Sequence, residues 1–242
     1  MKRQQVRKLG LIISLLLFPI TIYYFSPAVI ISAGLEGIIN GSFIVFALML
    51  VGSVFFGRWF CAYLCPAGGL QEVMIHVNAK APKQGWKNAI KYVIWTIWLA
   101  VVVFCYIKKG EIIRVDFFYM TEYGISVADI YGYIIYYGII LLIAVPALAG
   151  GKRTFCHYFC WMAPFMVIGA KTGQLLHLPG LHIAADSKSC SSCKACSKAC
   201  PMSVDIAAEA KRGKCTDAEC IQCGECVDVC PNKALKYSIK RG

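Results

Sequence analysis

The sequence predicts an α-helical membrane protein: four transmembrane helices arranged as two tandem helix-pair repeats, followed by a small cysteine-rich α+β domain at the C-terminus. Three observations predict it. Of 242 residues, 58% are hydrophobic and only 16% charged, against roughly 45–50% and about a quarter in soluble domains. Four long stretches carry no charge at all. Nine of the 14 cysteines crowd into the segment from Asp186 onward, where no apolar run occurs. Disorder is excluded, because disordered chains are poor in apolar residues.

The uncharged stretches are 9–35, 37–57, 92–107 and 130–151. A helix needs about 20 apolar residues, range ~17–25, to cross the hydrocarbon. The second and fourth stretches fit directly. The third, with 16 residues, borrows Lys91 and Lys108 as snorkelling ends. The first is long enough to span and then leave an apolar outer loop, with Pro19 at a kink. Buried helices of a soluble protein would need polar faces at helical spacing, and these runs have none. The basic start also resembles a signal peptide, but the run is long, ends in Tyr23, Tyr24 and Phe25, and lacks a close small-x-small site. It is read as an uncleaved helix.

Orientation follows from Lys and Arg in the short loops. Lys2, Arg3, Arg7 and Lys8 precede the first span; Arg58, Lys80, Lys83, Lys87 and Lys91 join the second and third; Lys152, Arg153 and Lys171 follow the fourth. The opposite side has only Lys108, Lys109 and Arg114, beside four acids. Twelve against three puts both termini in the cytoplasm of a plasma (inner) membrane protein. The net charge of +12 is thereby spent on topology and anionic lipid, so a nucleic-acid partner is not expected.

From Asp186 onward, eight cysteines form two copies of one run: Cys190-x2-Cys193-x2-Cys196-x3-Cys200-Pro201 and Cys220-x2-Cys223-x2-Cys226-x3-Cys230-Pro231. This is the run that binds [4Fe–4S] clusters in bacterial ferredoxins, with the fourth cysteine serving the other cluster. One cluster is assigned to Cys190, Cys193, Cys196 and Cys230, the other to Cys220, Cys223, Cys226 and Cys200. A disulfide scaffold has no reason to repeat this spacing, and structural zinc takes two separated pairs. Ser191, Ser192, Ala195 and Gly224 between the ligands leave backbone N–H groups free for the sulfurs. Cys215 lies outside the pattern and reads as a bystander, with an alternative-ligand role as the other reading. The expected domains are 1–183 in the membrane and 184–242 as a two-cluster ferredoxin.

The membrane half repeats itself. Arg58-Trp59-Phe60-Cys61-Ala62-Tyr63-Leu64-Cys65-Pro66 matches Arg153-Thr154-Phe155-Cys156-His157-Tyr158-Phe159-Cys160-Trp161 in register, 95 residues apart. Cysteines four apart share a helix face, so Cys61, Cys65, Cys156 and Cys160 would converge near a pseudo-symmetry axis. Such a site can hold a third iron–sulfur centre or another thiophilic metal; a redox thiol pair and apolar packing are the alternatives. Cys105, alone in mid-helix, reads as packing. His157 is either a polar interface residue or a further ligand or proton relay. The apolar stretches 67–77 and 163–170 read as interfacial helices.

Paired Arg-x-Phe-Cys-x3-Cys motifs after helix pairs, with the doubled cysteine run behind them, resemble the NapH/MauN family, whose best-known members are membrane quinol dehydrogenase subunits feeding a periplasmic nitrate reductase. The resemblance covers nearly the whole chain. Its paired Cys-x3-Cys-Pro motifs map onto Cys61, Cys65 and Pro66 and onto Cys156 and Cys160, with one departure: Trp161 stands where the second proline belongs. It implies an iron–sulfur electron-transfer subunit exchanging electrons with quinol and with a redox partner protein or cytochrome subunit. Relatives that assemble oxidases imply the alternative, a metal-handling protein that reduces an ion such as copper at the paired thiols. No Cys-x2-Cys-His heme motif and no Gly-x-Gly-x2-Gly dinucleotide fingerprint occurs. Quinone-site candidates are Phe117, Phe118, Tyr119, Tyr123 and Tyr131 with Glu111, Asp116 and Glu122 on the outer side, where an aromatic belt explains them equally. Glu72 and His76 on the inner side are either proton acceptors or a solvated helix face.

Overall fold

Side-chain caps and glycines set where the helices begin and end. The structure, a computed structural model, describes residues 2–82 and 85–241; Lys83, counted above, lies outside the described residues. Helix α1 (Lys2–Leu16) gives way at Leu17 to α2 (Phe18–Thr21), with Pro19 in its first turn, and to a 3-10 turn at Ile22–Phe25. The two pieces meet at 62°, a bend owed to the proline, which removes a donor and crowds the preceding turn. The apolar loop expected next is instead helix α3 (Pro27–Glu36). The Ser26 hydroxyl caps it, Pro27 pre-sets its first turn, and Gly37 ends it at φ 73°; all three are ordinary start and stop signals.

Strand β1 (Ile38–Asn40) leads into α4 (Gly41–Phe56), whose first turn is capped by Asn40 Oδ1 accepting from Phe43 N at 2.9 Å. Then come α5 (Trp59–Tyr63) and α6 (Pro66–Met74). A 3-10 turn at Trp86–Ala89 runs into α7 (Ile90–Lys109). Strand β2 (Arg114–Asp116) pairs in parallel with β1. The second repeat follows as α8 (Ile130–Gly150), capped by Asp129, then α9 (Thr154–Tyr158) and α10 (Ala163–Leu175). Strand β3 (Pro179–Ala185), α11 (Ala195–Ala199), α12 (Ile206–Lys211), α13 (Glu225–Asp228) and β4 (Leu235–Arg241) form the tail. Its antiparallel sheet pairs Pro179 with Arg241 through Ala185 with Leu235, so the strands cross the 183/184 position.

Two described helices are long and apolar enough to cross a membrane, Trp86–Lys109 and Ile130–Gly150, or three if the bent pair Arg3–Leu16 and Phe18–Phe25 is one span. Helix α4, with 16 residues, falls just short of the ~17 a straight span needs. Lys91 does not snorkel: it is fully buried against Glu219, because a carboxylate from the tail compensates its charge. Segment 67–77 is helical as far as Met74 and segment 163–170 throughout, and both bury a face. Helix α6 lies on α1 and α8, while α10 packs along α4. A Cβ on Gly169 would stand 2.4 Å from the Leu50 carbonyl, and one on Gly173 2.3 Å from that of Val54; only glycine allows this approach. Phe46 stacks on Phe165 at 5.2 Å, with Trp98 edge-on, to fill the core between the halves.

Candidate metal centres

The two cysteine runs of the tail fold into the same loop twice. Left-handed backbone falls at Ser192 and Gln222, at Lys194 and Gly224, and at Ser203 and Lys233, thirty residues apart in each case. Five of these six are not glycine, and each such position costs on the order of 1 kcal/mol or more unless its surroundings over-determine it. The turns aim backbone N–H groups inward: those of Ala195, Gln222 and Glu225 reach the sulfurs of Cys193, Cys220 and Cys223. Cys190, Cys193, Cys196 and Cys230 line one cavity, and Cys200, Cys220, Cys223 and Cys226 line another. Each cavity thus takes three thiols from one run and the fourth from the other.

The four thiols of the two repeats also come together. Cys61, Cys65, Cys156 and Cys160 are all buried, and burial, then the other three thiols, pushes the Cys65 thiol well up. Cys160 is pushed up to about 12 by burial and by Cys156 and Cys61. The halves use one local geometry: Cys65 N donates to Phe60 O and Cys160 N to Phe155 O, both at 3.0 Å. The cysteines of a motif do not ride on one helix, however. Helix α5 ends before Cys65, which precedes Pro66 and so is driven to extended backbone (φ −78°, ψ 118°). In the second half the loop is two residues longer, and Pro164 takes over the first turn of α10. Trp161 closes that loop by donating to Phe25 O at 3.1 Å.

The arginine that heads each repeat is fully buried, and each meets a carboxylate. Arg153 reaches Glu72 Oε2 at 2.8 Å and donates to the Cys61 carbonyl at 2.9 Å. Arg58 reaches Glu219 Oε2 at 2.9 Å. Glu72 also takes Arg7, and Glu219 also takes Lys91. Burial alone would raise both carboxylates, but these cations outweigh it and hold each at about 2. Nε and Nη2 of Arg58 are buried without a hydrogen-bond partner, and its charge acts on Cys61 and Cys156. Gln71 donates to Cys156 Sγ at 3.0 Å, and Cys61 Sγ lies 3.8 Å from Met166 Sδ. Four thiols, two arginines and orphaned donors fit a net-anionic sulfur-rich group, since the ligands must deprotonate to bind metal. Among the described residues no three His, Cys, Asp or Glu side chains close on a single ion, at these thiols or in the tail.

Comparison with known proteins agrees with this geometry. The 4Fe-4S binding domain family matches residues 41–84 and 131–179, one match for each repeat. The 4Fe-4S dicluster domain family matches residues 182–231. This is an iron–sulfur protein. An uncharacterised protein of Methanocaldococcus jannaschii is 25% identical over 84% of this chain and 82% of its own length. The putative electron transport protein YccM of Escherichia coli is 22% identical over 88% of this chain but 60% of its own length. Protein NirI of Paracoccus denitrificans is 28% identical over 53% of this chain and 20% of its own length. No solved structure matches the chain.

The remaining candidates separate in the iron–sulfur protein. His157 is fully buried 3.9 Å from Glu219; burial lowers it to about 4, against the pull of Glu219 and of a backbone contact with Met202. Glu72 is neither a solvated face nor a free proton acceptor, because two arginines hold it ionised. His76 is exposed. Cys105 packs against Gly34 of α3. Cys215 touches a ligand, sharing a hydrogen bond with Cys220. On the outer side, Phe117 stacks on Tyr24 and Tyr119 donates to Glu36 at 2.8 Å, while Phe118, Tyr123 and Tyr131 are exposed. Sequence reasoning missed Glu219 and Gln71. Neither belongs to a repeat, so only their neighbours in space reveal them; Arg58 and Arg153 were visible as the first letters of both repeats.

Proposed function

We propose that this chain is a membrane-bound electron-transfer protein, multi-pass in the plasma membrane, that moves one electron at a time between quinol in the bilayer and a redox partner on the cytoplasmic side. One observation carries the reading: a single buried arginine of the second repeat stands between the thiols of the repeats and those of a tail cavity. Arg153 acts on Cys156 of the first set and Cys223 of the second, and Cys226 in turn acts on Cys196 of the far set. Bound iron–sulfur clusters supply one-electron chemistry. The chain's own residues position those clusters and set their surroundings.

Cys61, Cys65, Cys156 and Cys160 are read as holding a third centre, next to Cys200, Cys220, Cys223 and Cys226, with Cys190, Cys193, Cys196 and Cys230 farthest out. Arg58 and Arg153 offset thiolate charge at the buried end. Gln71 donates to Cys156 and fixes the orientation of that thiol. The match of the 4Fe-4S binding domain family to both repeats favours a multi-iron body over a single copper ion. Four spans, with α1–α2 and α4 as the bent and short members, and cytoplasmic termini complete the reading; similarity to the putative electron transport protein YccM supports the electron-transport role.

Anaerobic purification with iron and sulfide counts and EPR tests it. About twelve irons per chain are expected with three cubanes, falling to about eight in Cys61→Ser and in Cys156→Ser. About eight in all three proteins would remove the third centre. Failure of every quinol to reduce the clusters in membranes would remove the quinol link.

A further inference from the structure

The two cluster loops of the tail carry opposite charge. From Thr216 to Asp228, around Cys220, Cys223 and Cys226, there are four acids and no Lys or Arg. From Ser187 to Val204 there are three lysines and no acid, and from Val229 to the end four basic residues and no acid. The acidic loop is spent inside the molecule. Glu219 pairs with Arg58 and Lys91, Glu225 with Arg7 at 3.3 Å, and Asp228 with Arg3. Gln4 adds hydrogen bonds to Asp228 and to the Cys223 carbonyl. The tail therefore docks on the membrane half acid to base.

Two exposed acids, Asp186 and Asp205, border the basic loop, each bonded to a serine of it, Ser189 and Ser197, but no partner segment is docked on it as on the acidic one. Lys188, Lys194, Lys198 and Lys233 are exposed, each within three residues of a ligand cysteine. They flank the cysteine runs that line the outer cavity, where Cys193 is itself exposed. Asn232 donates to Ser189 O at 3.0 Å and ties the two basic segments into one face. A surface lysine is ordinarily just solvated. Here the lysines outnumber the two bordering acids, they lie beside an accessible thiol of a cluster cavity, and the sister loop already demonstrates the mode of docking.

We infer that this face is the docking surface for an acidic soluble electron-carrier protein. The inference rests on the electron-transfer reading above and names the partner class. Complementary charge steers encounter and orients two redox proteins without requiring a large apolar contact. An exposed thiol at the face brings the carrier within reach of the outermost centre, while the buried thiols of the membrane set remain out of reach of any soluble protein.

The test measures binding of oxidised carriers to the full-length protein in neutral-lipid nanodiscs. An acidic flavodoxin and a basic cytochrome c serve as probes, with phosphatidylglycerol vesicles as a third arm. The flavodoxin is expected to bind and the cytochrome not. Lys188→Glu, Lys198→Glu and Lys233→Glu combined should weaken flavodoxin binding by about tenfold or more, through rim charges acting on encounter, as should raising salt from ~50 to ~300 mM. Lys194 is left in place because it lines the cluster cavity. Equal binding of both carriers, or no response to the triple reversal, overturns the inference. So does binding to the anionic vesicles alone, which would give the face to lipid. Cluster EPR and reduction by dithionite stay normal in the triple variant; if they are absent from the wild type, the electron-transfer reading itself fails, independently of the binding arm.

Discussion

Glu72→Gln removes the carboxylate that joins the first helix to the second repeat. Its two partners, Arg7 and Arg153, have side chains 0% exposed, and its own is 14% exposed, so the substitution strands two buried guanidinium groups. An ordinary glutamate value of 4.5 brought down to about 2 corresponds to roughly 3 kcal/mol. Breaking buried ion pairs on one side costs about 3–5 kcal/mol in other proteins. The two routes agree on about 3 kcal/mol, discounted for Arg7 because it keeps Gln4 at 2.6 Å and Glu225 at 3.3 Å. Hydrogen exchange of the α1 amides in nanodiscs is the assay, since it reads local opening free energy; an acceleration of about a hundredfold is expected. In Arg7→Gln/Glu72→Gln the loss should be smaller than the sum of the single losses, because one stranded charge is gone. The sign with pH is fixed: a depressed carboxylate stabilises above about 4.5, and the contribution is lost as pH falls toward about 2. Metal-free protein shows this without acid loss of clusters, and Glu72→Gln should flatten it. Exchange of α1 within about twofold of wild type, with additive single losses, would refute the bridging role.

Three further outcomes follow from the same contacts. Glu219→Gln strands Arg58 and Lys91 and should raise hydrogen exchange across 215–228 by about tenfold or more, while α4 stays protected. Gly169→Ala places a Cβ 1.9 Å from Ser53 Oγ and 2.4 Å from Leu50 O and should cost about 1–3 kcal/mol by thermal unfolding; Gly52→Ala, with nothing within 4 Å, should be neutral or mildly stabilising. Gln71→Leu deletes the 3.0 Å hydrogen bond to Cys156 Sγ. In an EPR-monitored titration the centre at those thiols should shift to lower potential by roughly 40 mV, about 1 kcal/mol for one electron.

Much of the site was legible before any fold. A thiolate run with two-two-three spacing means one thing chemically, because three ligands on a tight loop reach three irons of one cubane and the fourth must come from the paired loop. The placement of Cys230 with the first run and Cys200 with the second follows from that stoichiometry, and the two cavities have those linings. The duplicated Arg-x-Phe-Cys-x3-Cys likewise announced two equivalent halves, since a repeat in sequence is a repeat in local backbone. The α3 helix was missed, although Ser26-Pro27 and Gly37 mark its ends, because length alone was used to divide an apolar run. The bend between the first two helices was legible from Pro19 alone.

Charge was misread, for a physical reason. Counted along the chain, Arg7, Arg58, Lys91 and Arg153 look like loop charges that orient a membrane protein, and a count cannot tell a solvated cation from a buried one. Burial depends on whether a carboxylate arrives from elsewhere, and Glu72 and Glu219 lie 65 and 161 residues away from Arg7 and Arg58. Composition and spacing by themselves determined the cofactor class and the duplication, because those are set by local chemistry and local repeat. Only the tertiary structure decided that the acidic loop faces inward and the basic loop outward, because docking selects pairs by distance in space, and desolvation makes a buried charge tolerable only where its partner already stands.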